Sequence, residues 1–443
     1  VSQRGAKSAR ASGRGDARRW DVFSLRAAVV FALVAGGCGD SDADGPELEG
    51  ESEAADSDDG VADDDDDNDD ATPPGRDDAS DDDDGDDDDD DVPEPTGPAL
   101  PDRPEDQRCL FVATTGGLTT AERREAPRWL SESRCFTDLP NLVGTADVVP
   151  YEINAPLWTD GAIKLRQIHL PAGTTMALLP NGDITWPTGT VMFKHFSLPA
   201  VVDDPTTARP IETRVMVLEA DGWRFFTYVW TDDGKDAERL IDGETLEVPM
   251  LDDSGEELLL PYSVPAEDDC SFCHGPSEER VLGPRGPQLQ RDVRYTNGTF
   301  NQLQALRDAG WLVPADEDTM ALEPIADPHD DEAAIEARAR AVLHANCSHC
   351  HRPGGWVPAE LKMDLRYDTP LSETVACDVP RRYYNPWASG DIRIDPGDPD
   401  NSFVLQRMLV RGLGQMPPMA TFVVDDDGTD VVAEWIATLE DCD

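Results

Sequence analysis

The spacing of apolar residues changes period along the chain. Val191–Phe196 alternates, with Val191, Phe193 and His195 on one side and Met192, Lys194 and Phe196 on the other. Period-two alternation is the mark of a half-buried strand. Ile211–Leu218 and Trp223–Trp230 are two further β-type runs. The Glu219-Ala220-Asp221-Gly222 link between them carries the Asp-Gly pair of a hairpin turn. Together these runs predict an antiparallel β domain, a sandwich or a partial barrel, within residues 105–262. Beyond it the period lengthens. Asp331–Ala345 places Ile335, Ala339, Val342 and Leu343 on one helical face, and Asp430–Leu439 does the same with Val432, Trp435, Ile436 and Leu439. The fold expected is α+β and multidomain, with the β domain followed by mainly α-helical regions over 263–330 and 331–443.

The amino end follows neither period. Arg10, Arg14, Arg18, Arg19 and Arg26 precede the apolar run 27–34, which ends on Ala35-Gly36-Gly37-Cys38. A positive start, a short apolar stretch and small residues are the parts of an export signal. The ending on small residues and a cysteine resembles a bacterial lipobox, which makes residues 1–38 a lipoprotein signal peptide and Cys38 the lipidated residue. Residues 39–104 hold the Asp63–Asp67 and Asp81–Asp91 runs, and few apolar side chains. Repulsion and the lack of a core predict a disordered acidic linker that tethers the rest of the chain.

Charge narrows the function classes. The chain carries 92 Asp and Glu against 37 Lys and Arg, a net −55. Residues 101–443 alone carry −31. No region beyond the signal is basic, so nucleic acid is not the expected partner. The one apolar run is too short for a multi-span membrane protein. The β region shows no Ser-His-Asp or Cys-His arrangement, no Walker loop and no HExxH, so nucleotide-dependent and hydrolytic readings have no support.

The cysteines carry the chemistry. Cys270-Ser271-Phe272-Cys273-His274 and Cys347-Ser348-His349-Cys350-His351 are both C-x-x-C-H, the attachment pattern of c-type haem. Two thiols one helical turn apart match the two vinyl groups on one porphyrin edge. The histidine that follows swings beneath the ring as an iron ligand, here His274 and His351. Two covalently attached haems c are therefore the expected cofactors. Of nine cysteines, one is lipidated and four hold haem, which leaves Cys109, Cys135, Cys377 and Cys442. Three pairings of these four exist. The sequence-local pairs Cys109/Cys135 and Cys377/Cys442 are the expected disulfides of an exported chain.

The helix before Cys347, the pentad itself, Gln415-Met416-Pro417-Pro418 and the Trp-Ile terminal helix resemble a class I cytochrome c domain. That resemblance implies Met416 as the second axial ligand of the second haem, with Met419 in reserve. A wider resemblance joins Val149 through Gly161, Pro187–Val191, Lys194-His195-Phe196, Thr227–Trp230, Asn346–Gly355 and Pro396–Pro399. Over about residues 108–442 the chain resembles a family of exported bacterial dihaem c-type cytochromes. Some relatives in that family are fused to quinoprotein sugar-dehydrogenase-like propellers.

The resemblance implies a membrane-tethered carrier rather than a catalyst. It would move electrons from an exported quinoprotein or other dehydrogenase to a downstream acceptor. Its place would be the periplasmic side of the outer membrane or the cell surface. For the first haem no Met-Pro-Pro follows His274. His195 and Met320 are the candidates for its second ligand, with Met250 and His329 behind them. A vacant site there would point instead to a dihaem peroxidase-like enzyme, and a ligand-binding β region to a haem-based redox sensor.

Overall fold

Alternation between residues 148 and 240 builds a six-stranded antiparallel sheet from β1 (Val148–Tyr151), β2 (Ile163–His169), β3 (Val191–Pro199), β4 (Ala208–Glu219), β5 (Gly222–Trp230) and β6 (Ala237–Leu240). Each strand pairs with its sequence neighbour within the sheet, giving a meander. β4 and β5 form a hairpin closed by the Glu219–Gly222 pair. Gly222 has φ +124°, a conformation that a side chain would strain. The computed structural model describes residues 126–442 except 253, 275–280 and 359, together with 100, 108, 109 and 111. The signal peptide with Cys38, and all of the acidic linker but Leu100, lie outside the described residues.

The two faces of the sheet have separate tasks. On one face Val191, Phe193, Val215, Val217, Phe226 and Tyr228 pack against Phe111, Leu130 and the Cys109–Cys135 disulfide. On the other face Val149, Ile168 and Met192 join Leu303, Leu306 and Trp311 in a second core. A hairpin of Glu244–Leu251 and Glu257–Val264 covers Phe196, Leu198 and Ile211.

The architecture is α+β with antiparallel sheets, but residues 263–330 do not stand apart as a helical region. Leu312–Pro314 pairs in parallel with Met176–Leu178, and the second core draws on residues from both sides of position 263. The apolar residues around Leu303 and Trp311 are too few to close a core alone, so they complete the one beneath the sheet. Helix content is modest in the C-terminal part too. The helices there are α2 (Ile335–Cys347), Phe403–Leu409 and α3 (Asp426–Thr438). Between His351 and Phe403 the described residues hold only two 3-10 turns. Pro353, Pro358, Pro370, Pro380, Pro386, Pro396 and Pro399 break that stretch.

α2 begins four residues later than the periodicity suggests, at Ile335. Ala339, Val342 and Leu343 face Val432, Trp435 and Ile436 of α3 in a third core. α3 starts at Asp426, where the Asp425 carboxylate accepts a hydrogen bond from the Gly428 N–H at 3.0 Å. The Cys377–Cys442 disulfide ties the chain end to the irregular segment. Among the described residues no helix is long and apolar enough to cross a membrane.

Candidate cofactor cavity

Both pentads sit on helical turns. Cys270–His274 forms the one-turn helix α1, which sets its two cysteines about one turn apart on the same side. α2 runs into the second pentad, and the turn continues as the His351 N–H donates to the Cys347 carbonyl at 2.8 Å. Pro353 and Gly354 end it. Gly355 lies directly against the Cys350 carbonyl, where a Cβ has no room.

The two turns open on one cavity of about 1440 Å³, lined by Cys270, Cys273, His274, Cys347, Cys350, His351 and Met416 among others. That exceeds the roughly 300–1,000 Å³ of a pocket for one small molecule. The four free cysteines among the described residues are the four of the pentads, while the other four described are disulfide-bonded. Burial pushes the Cys270 thiol up to about 11 and the Cys347 thiol up to about 12. The Cys273 thiol hydrogen-bonds Cys350, which pushes Cys273 up and brings Cys350 down to about 4. Cys273 and Cys350, one from each motif, are thus neighbours on the wall of the cavity.

The donor set fits haem. Burial holds His351 down to about 4, so its ring is neutral, the form that ligates iron. Its Nδ1 is buried without a hydrogen-bond partner among the described residues. The ring of His274 packs on Phe225 of β5, with centroids 5.0 Å apart. Met416 is half-buried at the cavity, and its N–H donates to the Arg407 carbonyl at 2.8 Å. A single bare metal shared by the two motifs fits less well. Among the described residues no three His, Cys, Asp or Glu side chains converge to hold an ion.

The loop bearing Met416 is held by the sheet region. The buried Asp160 carboxylate accepts hydrogen bonds from the Phe422 and Val423 N–H groups, each at 2.8 Å, and from the Thr421 hydroxyl at 2.9 Å. Trp158 donates its N–H to Asn346 Oδ1 at 2.8 Å and its indole N–H to the Val423 carbonyl at 3.0 Å. The Trp158-Thr159-Asp160 segment thus joins β2, α2 and the Met416 loop.

Two sequence candidates lie away from the cavity lining. His195 is fully buried on the sheet face away from the cavity, between the rings of Phe136 and Phe193. Its Nδ1 lies 2.8 Å from Thr213 Oγ1 and its Nε2 3.0 Å from Gln167 Oε1. Gln167 also donates its amide to the Leu142 carbonyl, so Oε1 accepts and Nε2 carries the proton. Both ring nitrogens are therefore engaged inside the core. Met320 lies in the Asp318–Ala321 turn and packs on the second core rather than lining the cavity. Of the reserves, Met250 is buried in the covering hairpin and His329 is exposed, whereas Met419 lines the cavity.

Sequence reasoning missed Met192 and Met216. They are cross-strand partners on β3 and β4, and Met216 pairs in turn with Phe225. Both line the cavity on the His274 side. The signal was present, since Met192 alternates with Lys194 and Phe196, but alternation does not say which face meets a cofactor. No family model, curated protein or solved structure matches this chain.

Proposed function

We propose that this chain is an exported, lipid-anchored dihaem c-type cytochrome that carries electrons from an exported dehydrogenase, such as a quinoprotein, to a downstream acceptor. One observation carries the reading. Two C-x-x-C-H turns face a single large cavity with all four thiols free, while the other described cysteines are oxidised. Two disulfides also suit an oxidising compartment, the one where haem is attached.

On this reading Cys270, Cys273, Cys347 and Cys350 form the thioethers, and His274 and His351 are the proximal ligands. Met416 completes the second site, in a domain resembling class I cytochrome c. Each haem would supply an iron that cycles between two oxidation states. The protein positions the groups and keeps water from them. The sheet places Met192 and Met216 beside Phe225, which offers a thioether for the first site in place of His195 or Met320. Cys273 and Cys350 line the same cavity, which would set the two attachment edges near one another, a short path for an electron.

The test is holoprotein made in a host that attaches haem c. Intact mass should show two haem increments, and low-temperature spectra should show two six-coordinate low-spin ferric sites. Met416→Ala should lower one midpoint potential and open one iron to cyanide, since a thioether ligand favours the reduced state. A mass without haem would end the reading. A high-spin first site that turns over peroxide would favour the peroxidase-like enzyme.

A further inference from the structure

The cavity wall of the sheet carries three cations in a row that neither thioether attachment nor axial ligation uses. Arg166 on β2 stands opposite Lys194 on β3, which stands opposite Arg214 on β4. Like charges directly across a sheet repel, and buried charge without a partner is costly. Arg214 is compensated, because its Nε lies 2.6 Å from Glu212 Oε1. Arg166 and Lys194 are not. Arg166 is 8% exposed, and its Nη2 is buried with no hydrogen-bond partner. The Lys194 ammonium rests 4.9 Å from the centroid of Phe196, an aromatic face standing in for a carboxylate. Among the described residues neither cation makes an ion pair, and the nearby Glu152 is paired with Arg291 at 3.2 Å. Burial, and after it the neighbouring cations, hold Lys194 well below the usual lysine range.

We propose that Arg166 and Lys194 form a buried carboxylate site that receives the propionates of the haem carried by Cys270–His274. The proposal rests on the dihaem reading. Placement supports it. Arg214 lies two residues along β4 from Met216, whose cross-strand partner Phe225 packs on His274, so it marks the thioether edge. Arg166 lies two strands further on, about 10 Å away at the usual strand spacing. That is about the breadth of a porphyrin, whose propionates leave the edge opposite the thioethers. All three cations and Cys270 line the same cavity. Two carboxylates there would satisfy the orphaned guanidinium and give Lys194 the counter-charge it lacks.

The experiment is a redox titration of holoprotein carrying Lys194→Met or Arg166→Met, with haem counted by mass in each variant. Removing a cation beside the propionates should lower one of the two midpoint potentials and leave the other unchanged. Lys194→Arg should restore it. In Cys270→Ala/Cys273→Ala protein, which keeps only the second haem, Lys194→Met should change nothing. Unchanged potentials with both haems present would overturn the proposal, as would a shift that persists without the first haem. Inorganic phosphate serves as the probe for a free anion. If phosphate raises the melting temperature of wild-type holoprotein but not of Lys194→Met, the site is open to solvent anions and the proposal fails. Parent protein with no haem mass would be a different failure, that of the reading beneath it.

Discussion

His195 shows how a single side chain was legible in kind but not in role. Its position on an apolar strand face was readable from Val191–Phe196, and a buried imidazole needs partners. The partners, Thr213 and Gln167, come from strands 18 and 28 residues away in sequence. No local pattern names them. Burial holds this ring down to about 3 from an ordinary 6.5. Between those values the unfolded chain binds a proton that the folded chain refuses, so stability falls as pH falls through that window. Chemical denaturation of His195→Gln at stepped pH should give a shallower loss than the parent. His344, held down to about 4 by burial, leaves part of the slope in place. The four pentad cysteines stood out for the opposite reason, since their spacing is itself the signal, and the structure gathers all four, free, around one cavity.

Among the elements, strands and the two long helices followed periodicity, with ends moved by a few residues. The joints between them did not. Trp158 and Asp160 sit in a loop with no period, yet they fasten β2 to residues more than 250 positions away. Asp160→Ala leaves the Phe422 and Val423 N–H donors without an acceptor, while the Thr421 hydroxyl keeps the Val423 carbonyl. About 3 kcal/mol of stability should be lost, read by urea unfolding, and Met416 should be displaced by added imidazole more readily than in the parent. The Cys377–Cys442 bond closes a 65-residue separation. Replacing both cysteines by alanine should cost about 4 kcal/mol through the entropy of the unfolded chain, again read in urea. The irregular stretch that this bond ties down was not legible as structure, because its prolines announce only where helices stop.

For the whole molecule, the sequence distinguished a β-rich part from a later helical part, and the structure joins them around one cavity. Composition could not reveal that union, because the walls come from residues 151 to 421. Charge does act at this scale. With −31 over residues 101–443, association with a basic partner, as the proposed function requires, would be steered by a field that salt screens within about 10 Å at 0.1 M. Stopped-flow electron transfer to a basic cytochrome should slow about tenfold between roughly 0.01 and 0.5 M salt. A flat response would leave the charge as a solubility feature.

The nearness of Cys273 and Cys350 bears on biogenesis under the proposed dihaem function. Two free thiols lining one cavity would be open to cross-linking in a compartment that makes disulfides, and one S–S bond between them would disable both proposed attachment turns at once. On that proposal the maturation apparatus would have to reach the chain while it is still open, with ligation first and closure second. A host that exports quickly but ligates slowly should accumulate a compact, colourless, three-disulfide form that no later supply of haem can rescue without a reductant.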